Sequence, residues 1–92
     1  MDEDLITERL GALAHPSRFA IVRLLVRAGP AGLPAGKLGE TLGIAANAMT
    51  FHLQKLSRVG LLGTRRAGQF IIYSAVFPEL RELADQLVGA CC

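Results

Sequence analysis

Residues 43–60 of this 92-residue chain read GIAANAMTFHLQKLSRVG. Within this segment Met49, Leu53 and Leu56 are spaced as i, i+4 and i+7, so a helix would carry them on one face. Val59 extends the same apolar stripe. A second face of that helix would carry Asn47, Thr50, Phe51 and Gln54. The segment is therefore predicted to be a helix with one buried face and one exposed face.

The second face of this helix carries amide and hydroxyl groups, and the cations Lys55 and Arg58 follow beside it. Asn and Gln side chains hydrogen-bond to base edges in the major groove of DNA, whereas Lys and Arg contact phosphates. These residue types in this arrangement predict a helix that lies in a DNA major groove.

Charge is distributed unevenly along the chain. The formal net charge is only +2, but residues 41–78 contain no Asp or Glu and four cations: Lys55, Arg58, Arg65 and Arg66. A basic segment between acidic or near-neutral ends is typical of a surface that binds a polyanion. On charge alone, an ordinary solvated basic face is an equal alternative.

Length and composition indicate one small domain, residues 1–92, with an aliphatic core. A chain this small and apolar would gain stability by burying a face against a second copy, which favours a homodimer. The start of the chain, Met1 to Asp4, is acidic where a targeting segment is basic, and no apolar run is long enough to cross a membrane. A cytoplasmic protein with reduced cysteines is expected.

Three helices are predicted before residue 43. The first is marked by apolar residues at helical spacing: Leu5, Ile6, Leu10 and Leu13. The second begins at Pro16, runs to about Ala28 and is apolar nearly all round, so it is predicted to be the central core helix. Pro34 opens a short third helix that ends at Gly43. Two short helices joined by a tight glycine turn form a helix-turn-helix pattern.

A β-hairpin is predicted after Gly60, where the pattern changes from helical to alternating. Its strands are residues 61–66 and 70–75, joined by a three-residue loop that contains Gly68 and Gln69. Arg65 and Arg66 lie just before the tip, so the hairpin is interpreted as a wing that contacts the DNA backbone or minor groove. A plain two-stranded flap is the alternative.

A last amphipathic helix is predicted to begin at Pro78. Its apolar residues recur as Leu80, Leu83, Ala84, Leu87 and Cys91. This stripe has no obvious partner within so small a domain. Together with the first helix it is therefore assigned to a dimer interface.

The chain resembles the winged helix-turn-helix repressors of the ArsR/SmtB family. The resemblance is carried by residues 13–18 (LAHPSR), 21–25 (IVRLL), 51–56 (FHLQKL) and 59–62 (VGLL), with Gly68 and Tyr73 in the hairpin. It implies a mainly α fold with a small β-hairpin, in which two subunits pair through their first and last helices. It also implies binding to an imperfect DNA palindrome and release by a metal, a metalloid or a thiol-oxidising signal. The positions that fall on the DNA-reading helix are Ala46, Asn47, Thr50, His52 and Gln54.

The chain departs from the family pattern in two respects. Ala45 precedes the recognition helix where a Ser or Thr N-cap is usual, so about 1 kcal/mol of capping is lost unless Asn47 or a DNA phosphate substitutes. The metal-binding cysteines that some members carry on the short helix are also absent, and the last helix contains no histidine. The remaining candidate ligands are Cys91 and Cys92.

The adjacent thiols of Cys91 and Cys92 suit a soft, thiophilic ion. By resemblance to arsenic-responsive members, trivalent arsenic is the expected inducer, with antimony or another soft ion as alternatives. A third thiolate would come from the partner subunit, from residues beyond Cys92 or from an external thiol. Two other interpretations remain: Cys91 only continues the apolar stripe and Cys92 is an exposed thiol, or the cysteines form a disulfide or persulfide with the other subunit. For His52 a positioning role or a phosphate contact is favoured over metal ligation.

The expected function is a metalloid-responsive, homodimeric repressor that binds operator DNA. Its DNA-binding residues are predicted to be Ala46, Asn47, Thr50, Phe51, His52, Gln54, Lys55, Arg58, Arg65, Arg66 and Gln69. A winged-helix module that binds protein instead of DNA is the alternative from another class. The sequence contains neither a catalytic triad with a supporting carboxylate nor a phosphate-binding glycine loop, so neither enzymatic activity nor an organic cofactor is expected.

Overall fold

In the computed structural model, residues 1–89 are described and form five helices and three short strands. The helices are α1 (Glu3–Leu13), α2 (Pro16–Ala28), α3 (Ala35–Leu42), α4 (Ala46–Arg58) and α5 (Phe77–Val88). The strands are β1 (Leu33–Pro34), β2 (Leu62–Ala67) and β3 (Phe70–Ala75), and a single 3-10 turn spans Gly29–Ala31. The predicted mainly α fold with a small hairpin is confirmed. No helix in this part of the chain is long and apolar enough to cross a membrane.

The first two helices begin at polar caps. Asp2 caps α1 by accepting a 2.8 Å hydrogen bond from the Leu5 backbone N–H, and two acids in the first turn complement the helix dipole. The α2 helix begins at Pro16, and the His15 side chain caps it through a 3.1 Å hydrogen bond from the Ser17 N–H to Nδ1. The predicted break between these helices is confirmed.

The core is aliphatic and is centred on α2 and α4. The fully buried side chains come from three helices and the segment after α4: Ile21, Leu25, Leu38, Met49, Leu53, Leu56 and Leu61. The prediction that α2 is the central core helix is confirmed, because its Ile21, Val22 and Leu25 side chains are at most 6% exposed. Phe19 and Val26 are 49% and 42% exposed. They leave a strip of apolar surface on α2 that the monomer does not cover.

The sheet contains a strand that sequence patterns did not predict. Its order is β1-β3-β2, all antiparallel, with Leu33 opposite Tyr73 and Pro34 opposite Ile72. The predicted two-stranded hairpin is therefore part of a three-stranded sheet. The loop between β2 and β3 has two residues, Gly68 and Gln69, instead of the predicted three, because Ala67 still pairs with Phe70. Gly68 has φ +62°, which suits the first position of a tight hairpin turn.

Candidate nucleic-acid interface

The α4 helix has two faces of opposite character. Met49, Leu53 and Leu56 are at most 1% exposed and pack into the core. The exposed residues of the helix are Ala46, Asn47, Thr50, Phe51, Gln54 and Arg58, and Lys55 lies half-buried beside them. We call these seven residues the outer face of α4. The predicted division of this helix into a buried and an exposed face is confirmed, and its role in contacting DNA stays a prediction.

The polar groups of the outer face are only partly engaged within the domain. Asn47 Oδ1 accepts a 2.9 Å hydrogen bond from the Ala48 N–H, and Thr50 Oγ1 donates to the Ala46 carbonyl at 3.0 Å. Within residues 1–89, neither the Asn47 Nδ2 group nor the Gln54 amide has a hydrogen-bond partner. The Nδ2 group of Asn47 and the whole side-chain amide of Gln54 are therefore free to hydrogen-bond to base edges.

The start of α4 lacks a side-chain cap. Ala45 occupies the N-cap position and makes no side-chain hydrogen bond, as the sequence predicts. Asn47 partly substitutes, because its side chain satisfies the N–H of Ala48 in the first turn. The positive end of the helix dipole therefore lies beside the outer face with little protein covering it.

His52 does not belong to the outer face. It is only 8% exposed, and its ring lies 4.8 Å from the ring of His15, centroid to centroid. Its Nδ1 is 3.4 Å from Nη1 of Arg18, whose Nε donates to the carbonyl of Ala12 at 2.6 Å. This burial supports the positioning role of His52, and its contact with DNA stays a prediction. The side chain joins α4 to the junction between α1 and α2.

The surroundings of His52 also determine its charge. Burial lowers the pKa of His52 below the ordinary histidine value, and the neighbouring His15 and Arg18 lower it further. At neutral pH the imidazole is uncharged. An uncharged ring fits this position next to an arginine, where an imidazolium would be repelled.

The wing presents its two arginines on opposite sides. Arg65 pairs with Ile72 and Arg66 with Ile71, and successive residues of a strand point to opposite faces. Both arginines and Gln69 are exposed. Arg65 Nη2 donates to the carbonyl of Ala31 at 2.9 Å, which ties the wing to the 3-10 turn. The two arginine side chains therefore start from opposite faces of β2.

A buried arginine that sequence patterns did not single out holds the carboxyl end of α4. Arg9 is 6% exposed and lies at an inward position of α1. Its Nε donates to the Val59 carbonyl at 2.7 Å, and its Nη1 donates to Glu79 Oε2 at 2.7 Å. We call Arg9, Val59 and Glu79 the Arg9 junction, because it joins α1, the end of α4 and the start of α5. The available signal was the spacing Leu5, Arg9, Leu13, which places a cation within an apolar stripe.

An apolar groove lies between α1, α2 and α5. Its lining residues include Leu10, Leu13, Phe19, Leu80, Leu83 and Leu87. Leu87 and Val88 at the end of α5 are 63% and 67% exposed. Contiguous apolar surface of this kind marks an interaction site on a small domain.

The predicted ligand pair Cys91 and Cys92 lies outside the described residues. Within residues 1–89, the structure brings together no group of three or more His, Cys, Asp or Glu side chains that could hold a metal ion. The position of an inducer site therefore stays a prediction.

A helix-turn-helix whose second helix has a polar outer face, followed by a hairpin, defines a winged helix-turn-helix domain. A family model described as a helix-turn-helix domain matches residues 13–65. The chain is 36% identical over 83 residues to the HTH-type transcriptional regulator NmtR of Mycobacterium tuberculosis, covering 90% of this chain and 67% of that protein. The chain belongs to the helix-turn-helix transcriptional regulators of the ArsR-like family.

Solved structures agree with this assignment. An ArsR-like transcriptional regulator from Rhodococcus sp. RHA1 superposes with a TM-score of 0.80 at 28% identity, covering 95% of this chain and 81% of that chain. A homodimeric winged helix-turn-helix DNA-binding domain, Mb0332 from Mycobacterium bovis, gives a TM-score of 0.77 at 25% identity and covers 95% and 79% of the two chains. The similarity extends over nearly the whole described chain, including the wing and α5.

Proposed function

We propose that the protein is a homodimeric transcriptional repressor that binds operator DNA and is released by a soft, thiophilic ion. The observation that carries the DNA-binding part is the outer face of α4. It presents free amide groups and cations on a helix whose opposite face is fixed in the core. A rigidly held helix with this chemistry can enter a major groove and hydrogen-bond to base edges. A cytoplasmic location is part of this proposal, because the regulator must reach its operator DNA.

Contacts to the DNA backbone come, in this proposal, from the end of α4 and from the wing. Lys55 and Arg58 follow the base-reading residues, and Arg65 and Arg66 project from the two faces of β2. Phosphate contacts orient the protein on the duplex and contribute affinity that falls as salt rises. The acid-free segment 41–78 supports this assignment, since it contains no carboxylate that would repel the backbone.

We assign dimerisation to the apolar groove and to the exposed end of α5. The exposed side chains Phe19, Leu87 and Val88 surround the groove on α2 and α5. A second copy that covers this surface would pair α1 and α5 of the two subunits. The similarity to a homodimeric domain supports the assignment. The two α4 helices would then enter successive major grooves roughly 34 to 36 Å apart.

The inducer is proposed to be trivalent arsenic, antimony or a similar soft ion held by Cys91 and Cys92. The support is the adjacency of the two thiols, which matches the preference of soft ions for sulfur. The pair follows the apolar stripe of α5, so an ion there would bind next to the proposed dimer interface. If that binding favours a dimer geometry with a different spacing of the α4 helices, a coupling of about 1 to 3 kcal/mol would loosen DNA binding several-fold to a hundredfold.

Fluorescence anisotropy of the reduced protein on a DNA fragment from its own promoter tests this proposal. The complex is titrated separately with trivalent arsenic, Zn²⁺ and an oxidant. We expect release by arsenic alone, and loss of that response in the Cys91→Ser, Cys92→Ser variant. Release by the oxidant alone would replace arsenic sensing with thiol-redox sensing. Absence of salt-dependent DNA binding would refute the repressor assignment and favour a protein-interaction module.

A further inference from the structure

We infer that Phe51 reads the 5-methyl group of a thymine in the operator, and so contributes sequence specificity through an apolar contact. The inference rests on the proposed function, because it requires α4 to enter a major groove. It gives Phe51, which cannot hydrogen-bond to a base, a specific group on the DNA to contact.

Phe51 is the exposed large apolar side chain of a helix whose other large apolar side chains are buried. It is 54% exposed, although α4 buries three apolar side chains at 1% exposure or less on its other face. Its neighbours on the outer face are Asn47 one turn before it and Gln54 one turn after it. An apolar ring therefore lies in the middle of a row of hydrogen-bonding groups. The domain itself gains little from this placement, since half of the ring stays in water.

Contacts within α4 hold the Phe51 ring in place. Lys55 Nζ lies 5.0 Å from the centroid of the ring, within the range of a cation–π contact. The buried His52 ring meets it edge-on at 5.9 Å between centroids and an interplanar angle of 61°. These two contacts restrict the ring to the outer face and leave one side of it uncovered. A restricted side chain loses less conformational entropy when it binds.

The dimer surface does not account for the exposure of Phe51. The apolar groove assigned to dimerisation is formed by α1, α2 and α5, and none of its lining residues belongs to α4. Phe51 is separated from the core by the opposite orientation of Met49 and Leu53 on the same helix. Among residues 1–89, the side chain has an exposed apolar surface that neither the monomer core nor the groove covers.

The chemistry of the major groove identifies the group that such a ring can read. Base edges there present hydrogen-bond donors and acceptors and one apolar group, the C5-methyl of thymine. Phenylalanine cannot hydrogen-bond to a base edge, but it can pack against that methyl. The free Nδ2 group of Asn47 and the free amide of Gln54 on either side would contact neighbouring base pairs at the same time. The predicted operator therefore contains a thymine at one defined position in each half-site.

Replacement of thymine by deoxyuridine tests this contact, because uracil lacks the 5-methyl group and keeps the same pairing and the same O4 acceptor. Binding sites are first selected from a random-sequence duplex library with the full-length wild-type protein. Each thymine of the enriched site is then replaced in turn, and affinity is measured by anisotropy for the wild type, Phe51→Ala and Phe51→Leu. Phe70→Ala is the matched control, since Phe70 is equally exposed, at 55%, but lies on the wing.

We expect one thymine position per half-site at which uracil weakens wild-type binding about fourfold, the effect of removing one buried methyl-sized group. Phe51→Ala should bind the thymine and uracil duplexes equally, Phe51→Leu should keep part of the preference, and Phe70→Ala should keep all of it. Enrichment of a site with no uracil-sensitive position would overturn this inference alone. So would a Phe51→Ala variant that remains as sensitive to uracil as the wild type. Failure to enrich any sequence would overturn the proposed function and the inference with it.

Discussion

The two ends of α4 are held by different chemistry. At the carboxyl end, Gly60 adopts φ +81° and the Leu61 N–H donates to the Leu56 carbonyl at 3.1 Å, a glycine-based helix stop. The buried Arg9 adds a 2.7 Å hydrogen bond to the Val59 carbonyl. At the amino end, only the exposed side chain of Asn47 satisfies a first-turn N–H.

This difference suggests that the carboxyl end of α4 contributes mainly to the stability of the domain. The outer face is available to contact DNA. The carboxyl end is tied to α1 and α5, the helices proposed to form the dimer, through the Arg9 junction. The amino end packs against α3 through the buried Met49, whereas the outer face is exposed. Changes at the two ends should therefore affect different measurements, and four substitutions test whether they do.

The largest expected effect is on stability and comes from Arg9→Met. The methionine keeps an unbranched side chain but removes two charge-assisted hydrogen bonds, so we expect a loss of about 2 to 3 kcal/mol in the free energy of unfolding. Urea unfolding at fixed protein concentration measures it. The preference for cognate over random DNA should be retained by the folded fraction. Glu79→Gln is the control, with a smaller loss, because the amide oxygen still accepts from Arg9. If Arg9→Met changed the preference for cognate DNA without lowering the free energy of unfolding, the two ends of α4 would not have the separate roles inferred here.

The largest expected effect on recognition comes from Gln54→Ala on the outer face. Gln54 is exposed and its amide is free within the described domain, so its removal should leave the unfolding curve unchanged. Loss of a base contact should reduce the preference for cognate DNA by about 1 to 3 kcal/mol. Anisotropy on cognate and random duplexes at the same salt concentration measures that preference. Equal losses on both duplexes would mean that Gln54 does not read a base.

A serine at the N-cap of α4 tests whether the amino end of this helix lacks a side-chain cap. Ala45→Ser supplies an oxygen that can accept from a first-turn N–H, and we expect a gain of about 1 kcal/mol in the free energy of unfolding. Thermal and urea unfolding at matched concentration measure the gain. Ala45→Gly, which cannot provide a side-chain acceptor, is the control. If serine has no effect on stability, Asn47 already compensates for the missing cap, and the first-turn N–H groups of α4 have no need of a further acceptor.

The smallest effect concerns the pH dependence that His52 contributes. Its pKa is lowered in the folded protein by burial first and then by His15 and Arg18, so the unfolded chain takes up this proton at a higher pH. Stability from this residue is therefore full above about pH 6.5 and decreases as the pH falls below that value. His52→Gln should reduce the difference in unfolding free energy between about pH 7.5 and about pH 5.5. His15→Gln removes one cause of the lowered pKa and should reduce the difference by less than His52→Gln does. An unchanged difference in His52→Gln would assign the pH dependence to other groups.

Much of the fold was predictable because local signals agreed with the tertiary structure. Pro16 marked a helix start, the spacing of Met49, Leu53 and Leu56 identified the buried face of α4, and the change to alternation identified the hairpin. Strand β1 was not predictable, because two residues that include a proline form a strand only when β3 is there to pair with them.

The candidate site divides in the same way. Helical spacing was enough to predict that Asn47, Thr50 and Gln54 share an exposed face, because side-chain direction on a helix follows directly from position. His52 lies at the border of that face, and helical spacing does not predict whether residues from other elements will cover its side chain. Contacts with His15 and Arg18, which lie on other elements, decided its burial.

The sequence alone thus determined the helical periodicities, the caps, the acid-free segment and the identity of the residues on the outer face of α4. Tertiary structure decided which charged or polar side chains became buried. Arg9 and His52 are 50 and 37 residues from the partners Val59 and His15, and no local pattern specifies such contacts. The physical reason is that direction along a helix is a local property of the backbone, whereas burial depends on which distant elements pack against it.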